Sequence, residues 1–506
     1  MPDRAFDLLT EAILERDQPR TAGLFHQMVA RDGRSLRDAL GVVTAAEAPF
    51  VQVPSHINVR DGQITLINND HTILGLRTSV DLAPFLPERY RLLPFLQSVW
   101  YIPAGLDIWN QLLGRYPGRY ATMKGMHVPP PSYGPVVWHQ SGTPIVEEGT
   151  VEERLHSHMI ATMSGDVRRS YGLFLGLAAD PEIRPRLRDH LLFLGLIDVQ
   201  DTVIGRKARN TGHKALRARA VTDLADFIGW DRADGVYYIG VPDMAVGPLY
   251  YSLYDAACVV TGELPEAGKQ LAQTNRTPLT PAEVEEMIQL LMTADAPTVW
   301  ARVTSHLRGG ASIRSLGDAI QMGAAELILR TTVPRQFTDG QHPFDYCNTA
   351  NTWLRTTASP YRARVLYLMA NFVNDAARAN RLVRPVIEDE CAGFDGGDRT
   401  PDALLEELDA AILAYDVPRA TAIANAYLRS GADRAAYMSA VAVTACKFQD
   451  DPHNQKITHS TFEEYRHNAT HLRDRLLLAT VRLLAGWPKM PGERDCYARF
   501  LKEWMN

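Results

Sequence analysis

From residue 151 onward, apolar residues recur at helical spacing in one segment after another, and the order of the segments returns. Asp166, Asp295 and Asp416 are followed by VRRSYG, APTVWA and VPRATA. Each aspartate closes one apolar-periodic stretch and opens the next, where an N-cap belongs. Asp295 lies 129 positions after Asp166, and the same offset relates Leu187 to Leu316, His213 to His342 and Val236 to Val365. A third set follows at 121 positions (Asp295 to Asp416, Leu316 to Tyr437) and then at 111 (His342 to His453, Tyr361 to Leu472), as one ten-residue loop deletion would produce. Three amphipathic arrays of similar helix length would not hold four landmarks at one offset by chance, so the pattern predicts an internal repeat. Each copy reads as helix, aspartate, helix, a turn such as RGGAS or RSGAD, a long apolar helix, a loop, a histidine and two more helices.

Residues 1–150 show no such self-similarity. Residues 3–45 predict two helices, and FVQVPSHINVRDGQITLI alternates around Asp61-Gly62, the pattern of a β-hairpin. The expected fold is therefore mainly α: a threefold helical repeat preceded by a mixed helix/β-hairpin N-terminal segment. The expected units are 1–150, 151–280, 281–401 and 402–506. Pro-, Gly- and Asp-rich linkers at 262–281 and 390–402, and a Pro-rich connection at 127–144, separate them.

Composition narrows the function classes. A formal net charge of −6 over 506 residues supplies no basic field, so nucleic acid is not an expected partner. No apolar run approaches the roughly 20 residues of a membrane span. The first residues are amphipathic and acidic, unlike a signal peptide. The five cysteines are scattered without a CxxC pair. They fit a reducing cytoplasm and exclude a zinc ribbon or a Cys-ligated cluster. No P-loop, no GxSxG elbow and no GxGxxG after a strand is present, which removes the nucleotide and serine-hydrolase readings.

The fifteen histidines carry more information. His213, His342 and His453 share one repeat position. Three imidazoles brought to a common axis would make a nitrogen-rich metal site suited to iron, zinc or copper; the competing reading is a capping or core histidine repeated with the fold. In VEERLHSHMIATMSGD (151–166), His156 corresponds to Glu285 and Glu406, and His158 to Met287 and Leu408. His158 thus replaces a core aliphatic residue and needs a partner for its ring nitrogens, which makes it a fourth candidate ligand. His156 belongs on a polar face. Glu153-x-x-His156 and Glu464-x-x-His467 match the ExxH of di-iron bundles, but two matches are near chance, and no partner glutamates stand out. His56 and Asp70-His71 flank the hairpin and could form a site of their own, although lone loop histidines are not usually ligands.

LHSHMIATM, the Gly212-His213 step, QHPFDYCN and DDPHNQK resemble, in the same order, the histidine-bearing segments of the questin oxidase-like family, helical enzymes that cleave anthraquinone-type rings by oxidation. The arrangement also resembles helical regions that accompany Rieske-type ferredoxin domains. The resemblance covers roughly 151–480 through short motifs. It implies a mononuclear iron held by His158, His213, His342 and His453, with a carboxylated lysine at Lys456. Lys456 lies three residues past His453 and so on the same helix side; Lys447 and Lys214 are the alternatives. It further implies an iron-dependent oxygenase acting on an aromatic or quinonoid small molecule with dioxygen, with oxidative C–C cleavage as one outcome and an electron-transfer partner alongside. Phe344, Tyr346, Trp353, Tyr250 and Tyr251 would either wall a flat substrate or belong to the core. The alternative function is a non-catalytic helical scaffold that binds a redox partner such as a ferredoxin.

Overall fold

The structure, a computed structural model, describes residues 4–15, 17–48, 56–60, 63–67, 71–106, 142–199, 212–245, 251–262, 276–382, 385–448, 452–487 and 492–505. The Asp61-Gly62 turn, Asp70, Tyr250, Asp450 and Asp451 lie outside the described residues. So do most of the Pro-rich connection and of the first linker.

The described chain is mainly α-helical. The first part holds α1 (Arg4–Leu14), α2 (Gln18–His26), α3 (Leu36–Glu47), α4 (His71–Leu82) and α5 (Leu93–Leu106). Between α3 and α4, β1 (His56–Arg60) pairs antiparallel with β2 (Gln63–Ile67). There follow α6 (Val151–Met163), α7 (Val167–Ala178), α8 (Arg184–Ile197), α9 (His213–Ile228), α10 (Asp234–Gly240) and α11 (Ser252–Gly262). The next group is α12 (Pro281–Thr293), α13 (Ala296–Arg308), α14 (Ile313–Arg330), α15 (Phe337–Thr356), α16 (Arg362–Asn380) and α17 (Ile387–Cys391). The last is α18 (Pro401–Leu413), α19 (Val417–Arg429), α20 (Arg434–Ala445), α21 (His453–His467), α22 (Asp474–Gly486) and α23 (Asp495–Arg499).

Capping residues fix where these helices begin. Asp166, Asp295 and Asp416 are the N-caps of α7, α13 and α19, and their carboxylates accept the backbone N–H of Arg169 (3.2 Å), Thr298 (2.9 Å) and Arg419 (3.1 Å). Thr150, Thr280 and Thr400 cap α6, α12 and α18. In the first of these, Glu153 Oε2 accepts in return from the Thr150 backbone N–H at 2.8 Å, closing a capping box. That role accounts for Glu153 without a metal.

Four helices form the centre. α4 packs on α9, α9 on α15, α15 on α21, and α21 back on α4. The helix that follows each of them, α5, α10, α16 or α22, lies against its outer side. The core is continuous from Leu9 to Trp504. The N-terminal part, which has no repeat in its sequence spacing, therefore supplies the fourth member of the ring. No helix among the described residues is long and apolar enough to cross a membrane.

Two close approaches set the helix positions around the centre. A methyl group at Gly195 of α8 would stand 2.6 Å from the Lys214 carbonyl of α9, so the two helices meet backbone to backbone. Beside this contact, Lys214 Nζ donates to Asp198 Oδ2 at 2.6 Å, with both side chains 1% exposed.

Candidate metal centre

His71, His213 and His453 are the first residues of α4, α9 and α21, and His342 stands a turn and a half into α15. The ring brings these four imidazoles together. Centroids are 5.3 Å apart for His71 and His213, 5.2 Å for His213 and His342, 6.0 Å for His342 and His453, and 5.2 Å for His453 and His71. His453 also stacks on Trp487 at 4.4 Å, with the rings 18° from parallel.

Backbone devices hold the layer. Gly212 precedes His213 with φ +63°, and a methyl there would press on Tyr346 and Phe372 at 3.1 Å. Only glycine accepts both the left-handed backbone and the space. Gly75, one turn past His71, leaves room for Pro452, whose Cβ would lie 3.3 Å from a methyl at that position. This contact seats the start of α21 on α4. Pro343 has no N–H to give, so α15 lacks one helix hydrogen bond immediately after His342.

The chemistry of the layer is that of neutral nitrogen donors. His342 Nδ1 lies 2.8 Å from the Thr338 carbonyl, which can only accept. The proton therefore sits on Nδ1, and Nε2 keeps its lone pair. That Nε2 faces His213 Nε2 at 3.2 Å. Two nitrogens each about 2.1 Å from one ion, at angles between octahedral and tetrahedral, stand roughly 3.0–3.4 Å apart. Burial holds His342 well below the ordinary histidine range, reinforced by His213 and by the charge of Lys456. Among the described residues no group of three or more His, Cys, Asp or Glu side chains is already gathered as a metal set. The fit is thus one of donor type, neutrality and the spacing of one nitrogen pair, which suits iron, zinc or copper.

One turn further along, Asp345 of α15 and Lys456 of α21 face each other, with Nζ 3.6 Å from Oδ2 and side chains 0% and 4% exposed. The other candidate lysines are engaged elsewhere: Lys214 with Asp198, and Lys447 with Asp409 at 2.7 Å. Beyond this pair lies an ionic column of buried cations and partly exposed carboxylates. Arg219 donates to Asn348 at 2.8 Å and to Glu463 at 2.6 Å. Arg77 Nε lies 2.9 Å from Asp81 and 3.2 Å from Asp223, and His459 Nε2 lies 3.4 Å from Asp81. Glu464, the other ExxH glutamate, is paired with Arg355 at 3.1 Å rather than with His467. Arg77, Arg219, Asn348 and His459 are each six positions past a layer histidine; Asp81, Asp223, Thr352 and Glu463 are each ten past. Equal distances along the helices meet, so the four run parallel.

This pattern also shows what sequence reading missed. His71 was weighed only as a loop histidine beside the hairpin, yet it starts α4 and completes the layer. The signal was present: His71-x5-Arg77-x3-Asp81 and His213-x5-Arg219-x3-Asp223 share one spacing and one residue set.

His158, expected as the fourth ligand, is not brought to the layer. It is buried in α6, where Nδ1 lies 3.0 Å from His190 Nε2 and its ring packs on Phe174. Its other nitrogen is 3.5 Å from Ser170 Oγ, which in turn meets Thr162 at 2.7 Å. A second histidine and a hydroxyl supply the partners a buried imidazole needs, with no ion required. His156 is exposed. Burial lowers His158 to about 4, so its contribution to stability is complete above the unfolded value near 6.5 and fades as pH falls toward 4. In urea melts, the stability gap between wild type and His158→Gln should therefore narrow on acidification, by about 1.4 kcal/mol per pH unit within that window. A gap that stays constant would mean His158 is not held neutral.

Phe344, Tyr346 and Trp353 are fully buried core residues: Trp353 stacks on Phe193 at 5.5 Å, and Tyr346 donates to the Leu196 carbonyl at 2.8 Å. Tyr251 is half-buried. Trp487, against His453, is the aromatic ring at the layer. Comparisons of this chain with family models, characterised proteins and solved structures return no match.

Proposed function

We propose that this chain is a non-haem oxygenase acting on an aromatic or quinonoid small molecule, with a single iron held by His71, His213, His342 and His453 and with Lys456 alongside. The observation that carries the reading is the convergence of four imidazoles, two of them presenting Nε2 to Nε2 at 3.2 Å. Bound iron would supply the one-electron chemistry that dioxygen requires. The chain's own residues do the rest. Thr338 fixes the His342 tautomer, and the packed ring keeps water from the interior side. Three helix N-termini end at the layer, and their dipoles favour negative charge there, as on a phenolate or quinonoid oxygen. The same reading takes the three segments after residue 150 as copies of one unit, with the α4 region as a fourth. It makes the protein cytoplasmic, in keeping with five cysteines none of which is in a disulfide.

A second reading is a helical scaffold for a redox partner such as a ferredoxin. It is favoured by the fact that 3.2 Å between His213 and His342 also suits an N–H···N hydrogen bond, which needs no ion. Metal content separates the two. The oxygenase reading expects about one iron per chain after anaerobic reconstitution, with a visible or near-ultraviolet band that changes on admitting dioxygen. Folded, monodisperse protein that takes up no iron would leave the scaffold.

A further inference from the structure

Building on the proposed iron centre, we infer that its negative charge is carried by Asp345 and that Lys456 is an unmodified lysine paired with Asp345, not a carbamate. Both residues lie three positions past a layer histidine, Asp345 after His342 and Lys456 after His453, on helices that run parallel. They therefore occupy one level directly beneath the imidazoles. Asp345 is fully buried. Burial pushes the Asp345 carboxyl above the ordinary carboxylate range, opposed first by the charge of Lys456 and then by its polar neighbours Ser460 and Gln341, yet neither carboxylate oxygen receives a hydrogen bond of good geometry. Lys456 Nζ likewise has no hydrogen-bond acceptor in good geometry; its charge partner is Asp345 Oδ2 at 3.6 Å.

An unpaired buried carboxylate is costly, and so is an unpaired buried amine; set against each other they offset that cost. Attaching a carboxyl group to Lys456 would replace the attraction with two anions side by side in a water-poor interior, and would leave Asp345 without its counter-charge. The buried Arg77, already engaged by Asp81 and Asp223, is the other cation acting on Asp345. With Lys456 intact, the level below the histidines offers one carboxylate that is held but not saturated. With the ammonium beside it the level is net neutral, and the part left to the carboxylate is to orient a group above it.

The test uses the full-length chain. Wild type equilibrated with 13C-labelled bicarbonate is examined by 13C NMR, and cobalt(II) affinity is measured by titration for wild type, Lys456→Arg, Lys456→Glu, Asp345→Asn and His342→Ala. We expect no carbamate carbon in wild type, near-native affinity for Lys456→Arg, and a roughly 10–100-fold loss for Asp345→Asn, the size of effect that supporting groups have on metal affinity. Lys456→Glu should bind worse than Lys456→Arg. A carbamate resonance that Lys456→Arg abolishes would overturn the inference. So would a glutamate variant that keeps the metal while the arginine variant loses it. If wild type and His342→Ala bind cobalt equally, the centre itself is wrong; if His342→Ala loses the metal and the Lys456 and Asp345 results are reversed, only the charge assignment fails. Circular dichroism and a urea melt on each variant separate loss of metal from loss of fold, above all for Asp345→Asn, which leaves the buried Lys456 without its counter-charge.

Discussion

His342→Ala is expected to abolish iron binding, and His71→Ala to do so to the same degree. Each removes one of the four nitrogens proposed to hold the ion, and losing a ligand should exceed the 10–100-fold penalty of losing a supporting group, reaching at least about 100-fold in affinity. His213→Ala and His453→Ala belong with them. His158→Ala should leave the metal in place, because that ring is committed to His190 and Ser170. Iron per chain after reconstitution, together with circular dichroism as a check on folding, measures all five. An emptied site in His158→Ala with full occupancy in His71→Ala would sink the four-histidine layer described above.

The second large effect is on stability. Lys214→Met leaves Asp198 at 1% exposure without its 2.6 Å partner. Removing one member of a buried pair costs about 3–5 kcal/mol, since the remaining charge cannot return to water. The close backbone approach at Gly195 sets α8 against α9 beside this pair. Guanidinium unfolding should therefore show a marked drop in midpoint for Lys214→Met, and the double variant Lys214→Met/Asp198→Leu should regain most of it. A single variant within about 0.5 kcal/mol of wild type, as for a surface change, would mean that the pair is solvated.

Periodicity made three of the four layer histidines legible: His213 and His342 stand at the same distance from their capped helices, and His453 is ten residues nearer to its own, the single loop deletion the offsets require. The caps themselves were readable: Asp166, Asp295 and Asp416 stand where a side-chain oxygen must meet a free N–H. His71 escaped because the chain reaches α4 through a hairpin, whereas each of the other three layer histidines follows a run of three helices at related spacing, so no constant offset leads to it. Its Arg and Asp spacing within α4 was the only local trace. His158 misled for a different reason. An apolar position holding histidine demands a polar partner, but sequence does not say whether that partner is an ion or another side chain, and here it is His190 from α8. The family resemblance pointed to Lys456, which the structure buries on the same helix as His453. Its opposite number, Asp345, comes from another helix, and a contact across a ring is invisible to spacing along one strand of sequence.

The packing of α4 against α21 has a consequence for how this protein comes into being. During synthesis, α9 and α15 can dock soon after both have left the ribosome, whereas α4 must wait for the residues from His453 onward before its second neighbour exists. The hydrogen bond from Gln97 to the Cys446 carbonyl, 349 positions apart, spans the same seam. Until that late moment the nascent chain carries an unclosed groove with Arg77, Asp81 and His71 facing it, and closing so long a loop is slow. A chaperone that shields the α4 groove would thus act on a defined stage. Truncations before α21 should yield chains that are helical but sticky, recovered with bound chaperone rather than as stable fragments.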